Sequence, residues 1–146
     1  MATAADFFSD AQKKDIVEAI KTAELNTSGE VRVHIESTCK GDVLDRAAEV
    51  FAKLEMHKTA LRNGVLIYLA IETRTFAIIG DTGINQVVPA GFWDSTKDMM
   101  ISHFKTGDYA QGLIQGILKA GDQLKKHFEY QDDDINELPD DISFGK

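Results

Sequence analysis

The sequence predicts an α/β fold, a three-layer α/β/α sandwich around a small mixed sheet of about four strands. Segments with helical spacing of apolar residues alternate with strand-like segments in the order α, β, α, β, β, α, α. This order is typical of helices that cover both faces of a sheet. One strand-like segment, residues 65–71, is apolar throughout, which indicates a strand that is covered on both faces. We expect residues 1–130 to form a single domain, because the length is typical of one hydrophobic core.

The first predicted helix begins at a capping box from Ser9 to Gln12 and ends near Asn26. The following segment, residues 31–36, alternates strictly between apolar and polar side chains. Such alternation predicts a strand with one buried face and one solvent-facing face. His34 falls on the predicted solvent-facing side, so we expect it to have no functional role.

Two further strands are predicted to pair as a hairpin. Asp42 can cap a second helix, which carries apolar side chains at helical spacing as far as Leu54. Residues 65–71 then predict the central strand, and residues 75–79 follow after only a short polar break. This connection is short enough to force an antiparallel pairing, so the sheet is predicted to be mixed.

The second half of the sequence contains a long connection and two more helices. Residues 80–94 hold three glycines and one proline, with a helical turn expected near residues 84–87. Loops of this length in a compact domain are usually functional. Helices are predicted over residues 95–104 and after a cap at Asp108. A fourth, edge strand can come from the long connection or from residues 142–144, and the sequence leaves both open.

Charge and composition limit the classes of partner. The chain has 24 acidic and 16 basic residues, a net charge of −8. Residues 131–146 hold five Asp, one Glu and one Lys, so we predict an acidic, flexible tail after the domain. This balance suits neither nucleic-acid binding nor an anionic membrane surface. Cys39 is the only cysteine, which excludes an internal disulfide and fits a reducing compartment.

The sequence shows no signal peptide and no apolar run long enough to cross a membrane. We therefore expect a cytoplasmic monomer without membrane insertion. A protein partner is also expected, but nothing in the sequence identifies it.

Three polar, glycine-bearing segments are predicted to meet at one end of the sheet: residues 27–30, 62–64 and 80–83. A right-handed crossover places the starts of the first two strands at the same end, and the antiparallel third strand returns there. The opposite end collects Glu36, Asp42 and Arg74. Ligands of open parallel sheets usually bind at that carboxyl end, so the sequence offers two candidate ends.

Five acidic residues are candidates for metal ligands at the first end: Glu30, Asp81, Glu24, Asp94 and Asp98. Carboxylates held together raise one another's pKa unless a cation neutralises them. Without clustered His or Cys, these oxygens suit a hard cation, Ca²⁺ ahead of Mg²⁺, with one or two ions bound. The alternative interpretation is that the same acids only cap helices and turns.

Several segments resemble the TPM domain, also called the TPM phosphatase family. They are residues 24–33, 62–68 and 80–84 and the pair Phe92 and Trp93, within a resemblance that extends from Phe7 to Phe128. The resemblance implies an α/β/α fold and a divalent-metal site, with calcium favoured, where loops cross beside the sheet. A thylakoid member has been described as an acid phosphatase. Most relatives carry a signal peptide and a membrane anchor, so this chain is expected to be a stand-alone soluble member.

Carried onto this sequence, the resemblance implies Glu30 and Asp81 as the first ligands, Glu24 and Asp94 next, and Asp98 last. Two hypotheses follow. The first is a calcium-binding TPM domain whose metal-stabilised loops form a regulatory or interaction module. The second is a metal-dependent acid phosphatase that acts on phosphate esters. The sequence offers no nucleophile with an adjacent base, so we assign no catalytic residue.

Two other patterns are set aside. The triplet that begins at Asp81 resembles the carboxylate loop of an aspartic protease, but only one such triplet is present and the fold class differs. The four histidines lack the spacing of metal ligands on a helix or a strand.

Overall fold

The computed structural model describes residues 4–129 and 141–145 of the chain. Its helices are α1 (Ala4–Phe7), α2 (Asp10–Asn26), α3 (Val43–Lys53), α4 (Thr82–Asn85), α5 (Asp94–Lys105) and α6 (Tyr109–Leu124). Its strands are β1 (Glu30–Glu36), β2 (Gly64–Ala70), β3 (Thr75–Gly80) and β4 (Ser143–Phe144). The order of these elements confirms the predicted succession, to which the structure adds the short helix α1.

The four strands form one mixed sheet in the order β3-β2-β1-β4. β1 is parallel to β2, with Glu30 opposite Gly64, and it is also parallel to β4. β2 and β3 are antiparallel, as predicted for the hairpin, with Val65 opposite Gly80. The edge strand left open by the sequence therefore comes from residues 143–144.

Helices cover both faces of the sheet, which confirms the α/β sandwich. On one face, β1 and β2 bury Val33 and Ile67 against the helices α2, α5 and α6. On the other face, Leu66 and Tyr68 of β2 pack against Val50 of α3. Alternate residues of β2 thus enter two separate apolar clusters, which explains why this strand has no polar face.

Side-chain caps fix the starts of α2, α3 and α6. Ser9 and Gln12 form the reciprocal capping box at α2, as predicted. The Asp42 carboxylate accepts hydrogen bonds from the amides of Leu44 and Asp45 at 2.9 and 3.1 Å. Asp108 likewise caps α6. Caps of this kind each stabilise a helix by about 1 kcal/mol, so these short motifs position the elements reliably.

The prediction that β1 has a solvent-facing side was wrong. His34 and Glu36 are only 6% and 3% exposed. The side chains that cover them come from three separate elements: Arg46 of α3, Tyr68 of β2 and Ser143 of β4. In β1, the alternation of apolar and polar residues therefore does not indicate which side chains are exposed. The polar side chains are buried because they form hydrogen bonds with one another.

Most of the predicted acidic tail, residues 131–146, falls on residues 131–140 and 146, which lie outside the described residues. Residues 143–144 are described and pair with β1. Among the described residues, no helix combines the length and apolar character that crossing a membrane requires.

Candidate functional site

Three backbone segments meet where β1 and β2 begin and β3 ends: residues 27–30, 62–64 and 80–83, here called the loop junction. The Glu30 amide donates to the Asn63 carbonyl oxygen at 3.2 Å. The Asn63 side-chain amide donates to the Ser28 carbonyl oxygen at 3.1 Å. The Asp81 amide donates to the Gly64 carbonyl oxygen at 2.9 Å. These bonds confirm the predicted convergence of the three segments.

Two of the five candidate acids lie in the loop junction and both are buried. Glu30 and Asp81 are each 5% exposed. Glu30 stands opposite Gly64 in the β1–β2 register, and Asp81 bonds to Gly64 through its backbone. The two acidic residues therefore flank one glycine. Buried carboxylates are costly unless they are paired, hydrogen-bonded or bound to a cation.

Arg62 supplies a counter-charge to Asp81 within the loop junction. Its Nε and Nη2 donate to the two carboxylate oxygens at 2.7 and 2.9 Å, a bidentate ion pair. These hydrogen bonds raise the pKa of Arg62. The Arg62 side chain is 47% exposed, whereas that of Asp81 is 4% exposed. Asp81 also caps α4 through the Thr82 amide at 2.7 Å.

Glu24 ties the end of α2 to the start of β1. Its Oε2 accepts a hydrogen bond from the Val31 amide at 3.2 Å. The neighbouring Thr27 hydroxyl donates to the Phe128 carbonyl oxygen, just after α6. Hydrogen bonds therefore connect the region of the loop junction to α2 and to the segment that follows α6, the two long helices on one face of the sheet.

Asp94 and Asp98 lie on the first turns of α5, where both are exposed. Within residues 4–129 and 141–145, no group of three or more His, Cys, Asp or Glu side chains is arranged to hold a metal ion. The five candidate acids are all in this part of the chain. They do not form a cluster of carboxylates, and the loop junction brings together only Glu30 and Asp81.

The donor chemistry of the loop junction nevertheless fits a hard cation. Its three segments offer carboxylate oxygens, the Asn63 amide and backbone carbonyls, and they contain no Cys or His. Ca²⁺ takes six to eight such oxygens, and water commonly supplies several. Glu30 and Asp81 would provide the negative charge, with the remaining ligands from carbonyls and water.

A second polar centre lies at the opposite end of β1. It comprises His34, Glu36, Arg46 and Tyr68, here called the Glu36 cluster. Arg46 donates from Nη2 and Nε to the two Glu36 oxygens at 2.6 and 2.8 Å. The Tyr68 hydroxyl donates to Glu36 Oε2, and His34 Nε2 lies 3.1 Å from Oε1. Ser143 Oγ lies 2.8 Å from His34 Nδ1.

Hydrogen bonding keeps Glu36 ionised although it is buried. Burial opposes ionisation, but the hydrogen bonds from Arg46, Tyr68 and His34 outweigh it and lower the pKa of Glu36 to about 2. Burial raises the pKa of Tyr68 and lowers that of His34. His34 is then neutral at pH 7, with its proton on Nε2 because a carboxylate only accepts. The Ser143 hydroxyl donates to Nδ1.

Sequence reasoning missed most of this cluster. The sequence predicts Glu36 at the second candidate end together with Asp42 and Arg74. Asp42 caps α3, and Arg74 is an exposed residue of the β2–β3 turn with a positive φ of 56°. The available signal was Tyr68, since a hydroxyl within an otherwise apolar buried strand needs a hydrogen-bond partner.

The pKa of Glu36 makes stability depend on pH in acid. In the unfolded chain Glu36 protonates near pH 4.5, whereas the folded protein keeps it ionised to about pH 2. The contribution of Glu36 is thus fully present above pH 4.5 and is lost as the pH falls to 2. When urea unfolding is measured at several pH values, we expect the free energy of unfolding of Glu36→Gln to change less between pH 4.5 and 2 than that of the wild-type protein. Glu55→Gln, at an exposed residue, is the control. If the free energy of unfolding depended on pH equally in both variants, the assignment would be contradicted.

A comparison with models of protein families shows which family the chain belongs to. The family model described as TPM domain matches residues 1–123. The chain belongs to the TPM domain family. The match covers most of the sequence and includes α1 through nearly all of α6, with the whole loop junction. It confirms the resemblance found in the sequence.

Solved structures agree with this assignment. The NMR structure of the BA42 protein from the psychrophilic bacterium Bizionia argentinensis is 52% identical, with a TM-score of 0.92 over 99% of this chain and 100% of that chain. The N-terminal domain of a P. gingivalis protein is 21% identical, with a TM-score of 0.71 over 87% of this chain and 83% of that chain.

A third neighbour is the N-terminal domain of the cg2496 protein from Corynebacterium glutamicum. It is 17% identical, with a TM-score of 0.64 over 80% of this chain and 73% of that chain. These last two likenesses concern the fold alone. A comparison with curated proteins gives no match.

Proposed function

We propose that this TPM domain is a divalent-cation module in which Ca²⁺, ahead of Mg²⁺, binds at the loop junction. Glu30 and Asp81 are the charged ligands in this proposal. The observation that carries it is the burial of both residues on either side of Gly64, in three crossing segments that contain no Cys or His side chain. Hard cations select such donors. Binding would order the junction and thereby alter a surface offered to a protein partner.

Arg62 acts as a resident counter-ion in this proposal. It neutralises Asp81 through two hydrogen bonds, and its side chain, which is nearly half exposed, can turn into solvent when a cation takes its place. A cation must therefore compete with Arg62 for the Asp81 carboxylate. This competition lowers the apparent affinity, so Arg62→Gln should bind Ca²⁺ more tightly than the wild-type protein.

Glu24, Asp94 and Asp98 enter the proposal as secondary ligands only. Glu24 is close in the structure, since it bonds to the residue that follows Glu30. Asp94 and Asp98 are exposed on α5, where they can act as ligands of a second ion or as first-turn helix charges. The expected number of ions is one or two, and titration of single Asn and Gln variants separates these roles.

Thermal unfolding in EDTA and at rising Ca²⁺ and Mg²⁺ tests the proposal. An ion that binds only the native state stabilises it by RT ln(1 + [L]/Kd), roughly 2.7 kcal/mol at a hundredfold excess over Kd. That corresponds to a rise in Tm of about 5–10 °C for a domain of this size. We expect Asp81→Asn and Glu30→Gln to lose the rise.

The control for this experiment is Asp15→Asn, which removes an exposed acid of α2 outside the candidate set. It should keep the full Ca²⁺ effect. The proposal is wrong if neither ion raises the Tm of the wild-type protein, or if the rise survives in both junction variants.

The alternative function, a metal-dependent acid phosphatase, rests on the resemblance to the family and stays a prediction. Purified wild-type protein and Asp81→Ala should be assayed with a phosphate ester in the presence of Ca²⁺ and Mg²⁺. Turnover lost in the variant would favour the enzyme over the non-enzymatic module. Turnover that is equal in both would indicate a contaminant.

A further inference from the structure

A cavity of about 770 Å³ lies at the far end of the sheet from the loop junction. Its walls include His34 and Glu36 of β1, Arg46 of α3, and the lysines Lys40 and Lys53. The volume is within the range of small-molecule sites, roughly 300–1,000 Å³. Three members of the Glu36 cluster therefore border an open cavity, and Arg46, with a side chain that is 30% exposed, is the most accessible of them.

The position of this cavity is the one that open α/β sheets use for ligands. It lies beside the carboxyl end of β1, between α3 on one side and Gly145 beyond β4 on the other. β1 connects to β2 through α3 on one face, and β4 follows helices that pack on the opposite face. The end of β1 is thus a topological switch point, where a crevice opens outside the strand ends.

The charge of the cavity is opposite to that of the chain. Glu36 is neutralised by Arg46, which also donates to Glu49 at 3.1 Å. Lys40 and Lys53 are exposed. Among residues 4–129 and 141–145, neither ammonium group has an ion-pair partner, although the protein has a net charge of −8.

The rest of the wall favours a small organic ligand. Leu54, which follows α3, adds apolar surface beside the almost fully buried Val50, and Thr38 adds a hydroxyl. His34 is held in one orientation by Glu36 and Ser143, so this wall is ordered before any ligand arrives. A preformed site of this kind loses little entropy when a ligand binds.

We propose that this cavity binds a small soluble organic oxyanion, a carboxylate or a phosphate. Lys40 and Lys53 attract the oxyanion, and Leu54 contacts its apolar part. The site is separate from the loop junction and requires no metal ion.

NMR titration of the ¹⁵N-labelled full chain tests this inference, with inorganic phosphate and butyrate as the probes. Sodium chloride at matched ionic strength is the reference. We expect saturable shifts of the amides of residues 38–40 and 50–54 with phosphate or butyrate, and none with chloride. Saturation by phosphate alone or by butyrate alone identifies the class of oxyanion.

The decisive variant is Lys40→Gln with Lys53→Gln, since both lysines are exposed and the fold should persist. It should weaken the apparent affinity roughly three- to tenfold, as expected when two solvent-exposed charge contacts are lost. The matched control is Lys14→Gln with Lys21→Gln, two exposed lysines of α2 on the other face of the sheet. Absence of saturable shifts in the wild-type protein, or equal weakening in both double variants, overturns the proposal. The rise in Tm with Ca²⁺ is measured in the same variants. Oxyanion binding in this cavity is thus tested separately from Ca²⁺ binding at the loop junction.

Discussion

Replacing Arg46 by Met is expected to destabilise the protein by about 2–4 kcal/mol. The substitution keeps most of the side-chain volume but removes both hydrogen bonds to Glu36, which is 3% exposed. Breaking a buried ion pair by removing one partner usually costs roughly 3–5 kcal/mol, because the other charge remains buried. The lower range applies here because the Arg46 side chain is 30% exposed to water.

Urea unfolding at pH 7 measures this loss, and a second variant separates its causes. Glu36→Gln combined with Arg46→Met removes the orphaned charge, so the double variant should be more stable than Arg46→Met alone. The pKa of Glu36, followed by NMR, should rise in Arg46→Met. The control is Arg74→Met, an exposed arginine of the β2–β3 turn, expected to change stability by less than about 0.5 kcal/mol. An Arg46→Met variant as stable as this control would contradict the account.

Gly83→Ala is expected to cost about 3 kcal/mol or more, because there is no space for a methyl group. A β-carbon at Gly83 would lie 2.6 Å from the carbonyl oxygen of Arg62 and closer still to that of Leu61. Both atoms belong to the backbone, which cannot move aside as a flexible side chain does. The Gly83 amide also donates to the Arg62 carbonyl oxygen at 2.9 Å, so the two segments cross in direct contact.

Gly41→Ala is the matched control, since a β-carbon there meets no atom within 4 Å. Thermal and urea unfolding of both variants should show a large loss at Gly83 and little change at Gly41. If Gly83→Ala were as stable as Gly41→Ala, the close crossing at the loop junction would be wrong.

Much of the fold could be predicted because its signals are local. The Ser9 capping box, the apolar strand at residues 65–71 and the short polar break before β3 each depend on neighbouring residues. The parallel pairing of β1 with β2 and the antiparallel return of β3 then placed the loop junction correctly.

The parts that failed depend on contacts between distant segments. His34 alternates with apolar residues like an exposed side chain, but its partner Ser143 is 109 residues away. The bidentate pairing of Arg62 with Asp81 depends on the conformation of two loops, including a positive φ of 51° at Arg62. The spacing of residues along the chain contains no direct information on either contact.

The buried carboxylates near the two ends of β1 have different partners. At the carboxyl end, Glu36 is hydrogen-bonded to Arg46, Tyr68 and His34. In the loop junction, at the amino end, Asp81 is paired with Arg62, which is nearly half exposed. In the proposed metal site, a cation would displace Arg62 at lower cost than Arg46, because the displaced guanidinium would be solvated by water.

Isothermal titration of Ca²⁺ into protein stripped of metal with EDTA tests the central claim most directly. We expect saturable binding of one or two ions to the wild-type protein, loss of the ion at the loop junction in Asp81→Asn, and tighter binding in Arg62→Gln. Absence of binding to the wild-type protein would contradict the claim, as would an affinity that neither substitution alters.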